Sequence, residues 1–254
     1  MPDKRRHRGK HPDDDQLFAA GKVSTLATAV AELSWLLSRD YAADSALKLV
    51  GDRHDLTARQ RTAVRRCACG DACMHNRNDK RVSVESIRGF RLGVDGYNLL
   101  ITIESALSGG VILIGRDGCF RDLASVHGTY RRVEETRPAL ELILDRLARA
   151  EPDGVDWFLD RPVSNSGRLK NFITELIAAR RTEGRRIVEL DIQLVDSPDR
   201  ALAGYDGVVA TSDSVILDQC RQWTNLAAEI IDERIPKAFK VDLRANATEC
   251  GGEA

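Results

Sequence analysis

Beyond residue 80 the apolar positions come in short runs, each followed by a longer stretch with helical spacing. The runs at 90–94 (FRLGV), 111–114 (VILI), 155–159 (VDWFL), 187–195 (IVELDIQLV) and 207–211 (GVVAT) predict strands. The stretches at 98–108, 137–150, 167–182 and 213–220 predict helices. This alternation predicts a mainly parallel sheet with crossover helices, a three-layer α/β/α domain over 81–254. Within 187–195, Val188, Leu190, Ile192 and Leu194 alternate with Glu189, Asp191 and Gln193. A period of two leaves one face wet, which places this strand at or near a sheet edge.

Before residue 80 the pattern is helical throughout. Segments 13–38, 42–50 and 57–68 predict a small helical N-terminal domain over 12–80, and the last opens with TARQ, a capping box of Thr57 and Gln60. The polar stretch HNRNDKR (75–81) reads as a linker, with a domain boundary near residue 80. Residues 1–11 read as a solvated basic arm, and a disordered tail is expected from about residue 244.

Composition changes this picture little. Of the 254 residues, 43% are hydrophobic and 30% charged, the balance of a globular chain and not of a disordered one. The net charge of −1 means that any polyanion must be gripped by local patches. Three basic segments offer such patches: KRRHRGK (4–10), RQRTAVRR (59–66) and RRTEGRR (180–186). The basic start lacks an apolar signal region, and no apolar run approaches the roughly 18 residues of a membrane span. A cytoplasmic protein without membrane contact is expected, its six cysteines held as thiols. A homodimer is left open.

Candidate chemistry lies where strands end. The 90–94 run leads into Asp95, 155–159 into Asp160, 187–195 into Asp196 with Asp199 three residues on, and 207–211 through Ser212 into Asp213. The 111–114 run is followed by Gly115, Arg116 and Asp117. In a parallel sheet such carboxylates gather at one edge, where ligands of α/β proteins bind. Clustered oxygens suit Mg²⁺ or Mn²⁺, which orients a phosphodiester and lowers the pKa of an attacking water. Asp95, Asp160, Asp213 and Asp117 are therefore the candidate metal ligands, the first three also catalytic. Each is also explained by a bland role, since aspartate caps the helix after a strand and Asp-Gly makes turns.

The blocks VDGYNLLITIESALSGG, GRDGCFRDLASVHGTYRR, LDRPVSNSGRLK and VATSDSVILD, with LSWLLSRDYAADSALKLVGDRH in the helical part, resemble a prokaryotic family of unknown function numbered 434, from about residue 12 to 225. More distantly, Asp-Gly-Tyr-Asn after the first strand and Thr-Ser-Asp-Ser after a late one resemble the PIN-like nucleases of the NYN branch. That resemblance implies a fold in which strand-end acids hold Mg²⁺ or Mn²⁺ and RNA is cut. It implies Asp95 as the first metal ligand, Asn98 as its companion and Asp213 as a late ligand, with Asp160 a weaker match.

Other residues bear on a phosphate. PVSNSGRLK (162–170) leads into a helix, where Asn165 and Ser166 either cap it or, with Arg168, Lys170 and free N–H groups, hold a phosphate. HGTYRR offers His127 with Arg131 and Arg132. Cys67, Cys69, Cys73 and His75 crowd within nine residues without the usual zinc spacing, although a continuous helix would put Cys69 and Cys73 on one face. No dinucleotide glycine fingerprint, phosphate loop or serine-nucleophile elbow is present, which takes support from those enzyme classes. Three readings remain: a metal-dependent phosphodiesterase, most simply a ribonuclease; a non-cleaving RNA-binding or scaffold protein; and a small-molecule enzyme acting on a nucleotide in the same pocket.

Overall fold

A computed structural model describes residues 7–124 and 128–244. In chain order its helices are α1 (Asp14–Leu17), α2 (Ala20–Leu37), α3 (Ala43–Arg53), α4 (Ala58–Cys67), α5 (Asp71–Lys80), α6 (Gly96–Leu107), α7 (Thr136–Ala150), α8 (Ser166–Thr182), α9 (Pro198–Ala203), α10 (Ser214–Gln219) and α11 (Leu226–Arg234). Its strands are β1 (Arg91–Asp95), β2 (Val111–Ile114), β3 (Phe120–Asp122), β4 (Gly154–Asp160), β5 (Leu190–Val195), β6 (Val208–Ala210), β7 (Gln222–Thr224) and β8 (Phe239–Asp242). Two compact units form. One comprises Lys80–Gly110 and Ala124–Ala238 with residues 7–10; the other comprises His11–Asp79, Val111–Leu123 and residues 239–244.

The first unit is built on a five-stranded, wholly parallel sheet in the order β5-β4-β1-β6-β7. Helices flank it, giving the expected α/β class with three layers. Leu92 and Val94 of β1 are fully buried, as suits a central strand covered on both faces. The alternating strand β5 lies at the edge, as its period of two requires. Trp157 and Trp223 of its strands, with Leu100 and Ile103 of α6, are among the largest fully buried side chains.

The second unit corrects the sequence reading in three places. The run 111–114 is not in the large sheet: β2 pairs antiparallel with β3 and parallel with β8 in a sheet of its own. Its apolar side chains are buried there as a central strand's would be, so hydrophobicity alone did not say which sheet it joins. Leu113, Leu123, Val241 and Leu243 share a core with Leu26, Val30, Leu33 and Val64 of α2 and α4. The helical segment is therefore completed by strands from later in the chain. Second, the stretch read as a linker lies mostly within α5, whose only buried residue is Arg77, and a helix without an apolar stripe gives no periodic signal. Third, the segment 13–38 is broken at Phe18–Ala19 into α1 and α2. The Thr57–Gln60 capping box is formed in both directions. The expected tail lies outside the described residues, and none of the described helices is long and apolar enough to cross a membrane.

Candidate functional site

Numbered within the large sheet, the strand order is 3-2-1-4-5, so the direction in which successive strands are added reverses between β1 and β6. That reversal opens a crevice at the C-terminal ends of the two strands, where doubly wound sheets place ligands. Asp95 ends β1 on one side, and Thr211, Ser212 and Asp213 follow β6 on the other.

Asp95 caps α6 and is also tied to the residues after β6. As N-cap of α6, its Oδ1 accepts from the Asn98 N–H at 3.4 Å, while Oδ2 accepts from the Thr211 hydroxyl at 2.9 Å. Gly96 is not needed for a left-handed turn. A Cβ there would stand 2.1 Å from Trp157 Nε1 and 2.6 Å from the Phe158 carbonyl, so glycine lets α6 start hard against β4. Asn98 reaches across the crevice: its Oδ1 accepts from the Ser212 N–H at 3.0 Å and its hydroxyl at 2.9 Å. This fixes the carboxamide with its NH₂ group left as a donor. Asp213 caps α10 through Oδ1, which accepts from the N–H of Val215 at 2.8 Å and of Ile216 at 3.3 Å.

The electrostatics tie these groups together. Burial pushes the Asp95 carboxyl up to about 7; the Thr211 bond opposes this and the Asp213 and Asp199 charges add to it. Partial desolvation and the charge of Asp213 raise the carboxyl of Asp199, in the first turn of α9. Burial and the charge of Asp199 raise Asp160, at the end of β4. Asp95, Asp160 and Asp213 thus come to one sheet edge, and Asp199, which was not among the candidates, joins them. Its place three residues past Asp196, which closes the 187–195 run, was its signal, but Ser-Pro-Asp reads equally as a helix start with proline in the first turn. Among the described residues none of the four carboxylates is ion-paired to a lysine or arginine. Asp196 lies apart, paired with Arg161 at 3.3 Å.

A second wall stands beside Asp160. Thr129 bridges Ser164, the Tyr130 N–H donates to the Ser164 carbonyl at 3.1 Å, and Asn165 Nδ2 donates to the Tyr130 carbonyl at 3.0 Å. Asn165, with φ 71°, is the N-cap of α8 but gives the helix no side-chain hydrogen bond, and Ser166 is buried in the first turn. The Tyr130 ring packs on Tyr97, centroids 5.1 Å apart, and its hydroxyl donates to Glu104 Oε1 at 2.6 Å. Glu104 is wholly buried; its Oε1 also accepts from Thr136, and its Oε2 from Arg8 Nε at 2.8 Å and Nη2 at 2.6 Å. Arg8 is therefore docked and not solvated, which corrects the expected free arm over the part described. A buried acid needs such a cation, and the arm supplies it.

Other candidates fall elsewhere. Asp117 is not at this edge: it lies in the other unit, in the turn between β2 and β3, where Arg77 donates to it at 2.6 Å and Arg121 at 2.6 and 2.8 Å. Burial opposes its ionisation, but the two guanidiniums prevail and hold it well below the usual carboxylate range. It is a structural ion-pair hub. His127 lies outside the described residues. The helix that would align Cys69 with Cys73 breaks, since α4 ends at Cys67 and α5 begins at Asp71. Burial pushes the thiols of Cys67 to about 12 and Cys69 to about 11, so both stay protonated. Among the described residues no three histidine, cysteine, aspartate or glutamate side chains form a ready-made metal cage.

Comparison with known proteins divides the chain at the same place as the change of pattern. Residues 84–229 match the family model described as Domain of unknown function (DUF5616). The chain belongs to this family. All four strand-end aspartates lie within the match. Residues 25–80 match Protein of unknown function (DUF434), so the resemblance read from 12 to 225 is confined to the helical part. Uncharacterized protein MJ0935 of Methanocaldococcus jannaschii is 30% identical over 210 residues, 82% of this chain and 97% of that protein. No solved structure matches.

Proposed function

We propose that the protein is a metal-dependent phosphodiesterase of the PIN-like, NYN type, acting on RNA. The observation that carries this reading is the convergence of Asp95, Asp160, Asp199 and Asp213 at the switch point with no lysine or arginine partner among the described residues. Elsewhere in the chain carboxylates are routinely paired with arginines, as Asp14, Asp117 and Asp156 are. Mutually repelling carboxylates are costly to the fold, and a site that binds a cation is the usual reason for retaining them.

The residues fit Mg²⁺ or Mn²⁺ held in the manner usual for these ions, by one or two carboxylates together with waters and substrate oxygens, and not by a closed protein cage. Asp95 and Asp213 would be the direct ligands, each with a carboxylate oxygen still able to accept, and Asp199 and Asp160 would complete the acidic rim. A bound ion would supply charge neutralisation at the phosphate and acidify an attacking water. The chain's own groups do the rest. Asn98, locked by Ser212, directs its amide NH₂ at a phosphate oxygen. Asp160 or Asp199, made more basic than an ordinary aspartate, takes the proton of the water that adds to phosphorus as the P–O bond of the leaving nucleotide breaks.

The test is Mn²⁺-dependent cutting of an end-labelled single-stranded RNA, with EDTA as control. Asp213→Asn retains a good N-cap for α10 while removing the charge, so it should abolish cutting and leave folding intact. Wild-type protein that binds RNA but cuts with neither metal would replace this reading with a non-cleaving RNA-binding role.

A further inference from the structure

The three basic segments singled out in the sequence are largely neutralised in the fold. Arg59, Arg61, Arg65 and Arg66 pair with Asp14, Asp52, Asp44 and Asp122. Arg180 and Arg185 share Glu141 and Asp145, Arg186 pairs with Glu151, and Arg8 is held by Glu104. Among the described residues, the cations without an acidic partner include Arg131, Arg132, Arg168 and Lys170. These four lie together. The segment carrying Arg131 and Arg132 is hydrogen-bonded along Ser164 and Asn165, and the Arg132 guanidinium stacks on Phe172 of α8, 4.5 Å from the ring centroid. Arg168 and Lys170 are in the first turns of the same helix.

Two further observations point to an anion there. The side chain of Asn165, which would ordinarily cap α8, is committed to the Tyr130 carbonyl, so the N–H groups of Gly167 and Arg168 have no acceptor among the described residues. Free N–H groups and the helix dipole together make an anion site. Independently, Tyr97 is 7% exposed and its hydroxyl has no hydrogen-bond partner among the described residues, although it lies close enough to Asp160 to feel that charge. A buried hydroxyl without a partner is costly, and a ligand oxygen lodged between Asp160 and α8 would supply it.

We propose that Arg131, Arg132, Arg168 and Lys170, around the open first turn of α8 and beside Tyr97, form the subsite that grips the phosphates of a single-stranded nucleic acid next to the carboxylate edge. This rests on the phosphodiesterase reading for its choice of ligand. A flexible single strand suits the site because its phosphates can follow the short basic flank from α8 to Asp160. The Glu104 cluster with Arg8 holds the flank in place through Tyr130.

Binding is separable from cutting. The probe is a fluorescein-labelled oligouridylate of about a dozen nucleotides, followed by anisotropy in EDTA over a salt series. The triple variant Arg131→Gln, Arg132→Gln, Arg168→Gln should weaken binding roughly tenfold or more and make the log–log salt slope shallower by about 2, near 0.7 per lost phosphate contact. Arg181→Gln, at the far end of α8, should change neither. Tyr97→Phe should weaken binding while leaving the melting temperature equal or higher, whereas a purely structural hydroxyl would leave binding unchanged. Circular dichroism should find the triple variant folded, since no ion pair among the described residues is lost. A triple variant that binds like wild type with the same slope, or wild type that fails to bind at low salt, overturns the subsite. Binding through this flank without metal-dependent cutting would leave the subsite standing and remove the phosphodiesterase reading.

Discussion

Replacing Asp95 by asparagine should stabilise the protein, and by an amount that depends on pH. The carboxyl is raised from 3.8 to about 7 by burial and by Asp213 and Asp199, against the help of Thr211. A folded-state pKa above the unfolded value means that the folded protein holds the proton more tightly. Ionised Asp95 therefore subtracts stability progressively as pH rises from about 4 to 7. Each pH unit in that window is worth about 1.4 kcal/mol. Between pH 5 and pH 8.5 wild type should lose about 2–3 kcal/mol relative to Asp95→Asn, which keeps an acceptor for Thr211 and has no charge to bury. Thermal melts in EDTA would read this as a gap that widens by roughly 5 °C or more. A gap independent of pH, or wild type gaining on the variant as pH rises, would refute the buried, charge-crowded Asp95. Excess Mg²⁺ at pH 8.5 should reverse the gap, because a cation bound only by folded wild type adds stability that the variant cannot recover.

Three further outcomes are expected. Asp117→Ala leaves Arg77 and Arg121 buried without their anion and should cost about 3–5 kcal/mol in chemical denaturation, far more than an exposed aspartate would. Arg8→Ala uncovers the charge of Glu104 and should speed hydrogen exchange across 128–136; adding Glu104→Gln should restore much of the protection, and no change in the single variant would remove the arm's role. Gly96→Ala forces a methyl against Trp157 Nε1 and the Phe158 carbonyl and should destabilise by at least about 3 kcal/mol, or prevent soluble expression; an alanine variant with native stability would contradict the close approach of α6 to β4.

What could be read from the chain followed from periodicity. Strands buried on both faces and flanked by helices announced the parallel sheet, the alternation around Ile192 announced an edge, and aspartates closing apolar runs announced the edge that collects charge. What could not be read depended on partners distant in sequence. VILI at 111–114 has the same pattern in either sheet, and only its pairing with the strand at 239–242 decides. Asp117 follows an apolar run as Asp95 does, yet Arg77 and Arg121 take it as an ion-pair hub. The basic segments read as polyanion grips because their acidic partners lie far along the chain, from Asp14 for Arg59 to Glu141 for Arg185. Asp199 was named after the 187–195 run but not taken as a ligand, because Ser-Pro-Asp reads equally as an ordinary helix start.

The central claim is that the switch-point carboxylates hold a divalent cation. Crystals grown or soaked with MnCl₂ and measured with anomalous scattering test it most directly. An anomalous peak bounded by Asp95 and Asp213 is expected, and it should be absent from Asp95→Asn crystals prepared in the same way. A map with no peak at that edge, or with manganese bound only elsewhere on the chain, would contradict it.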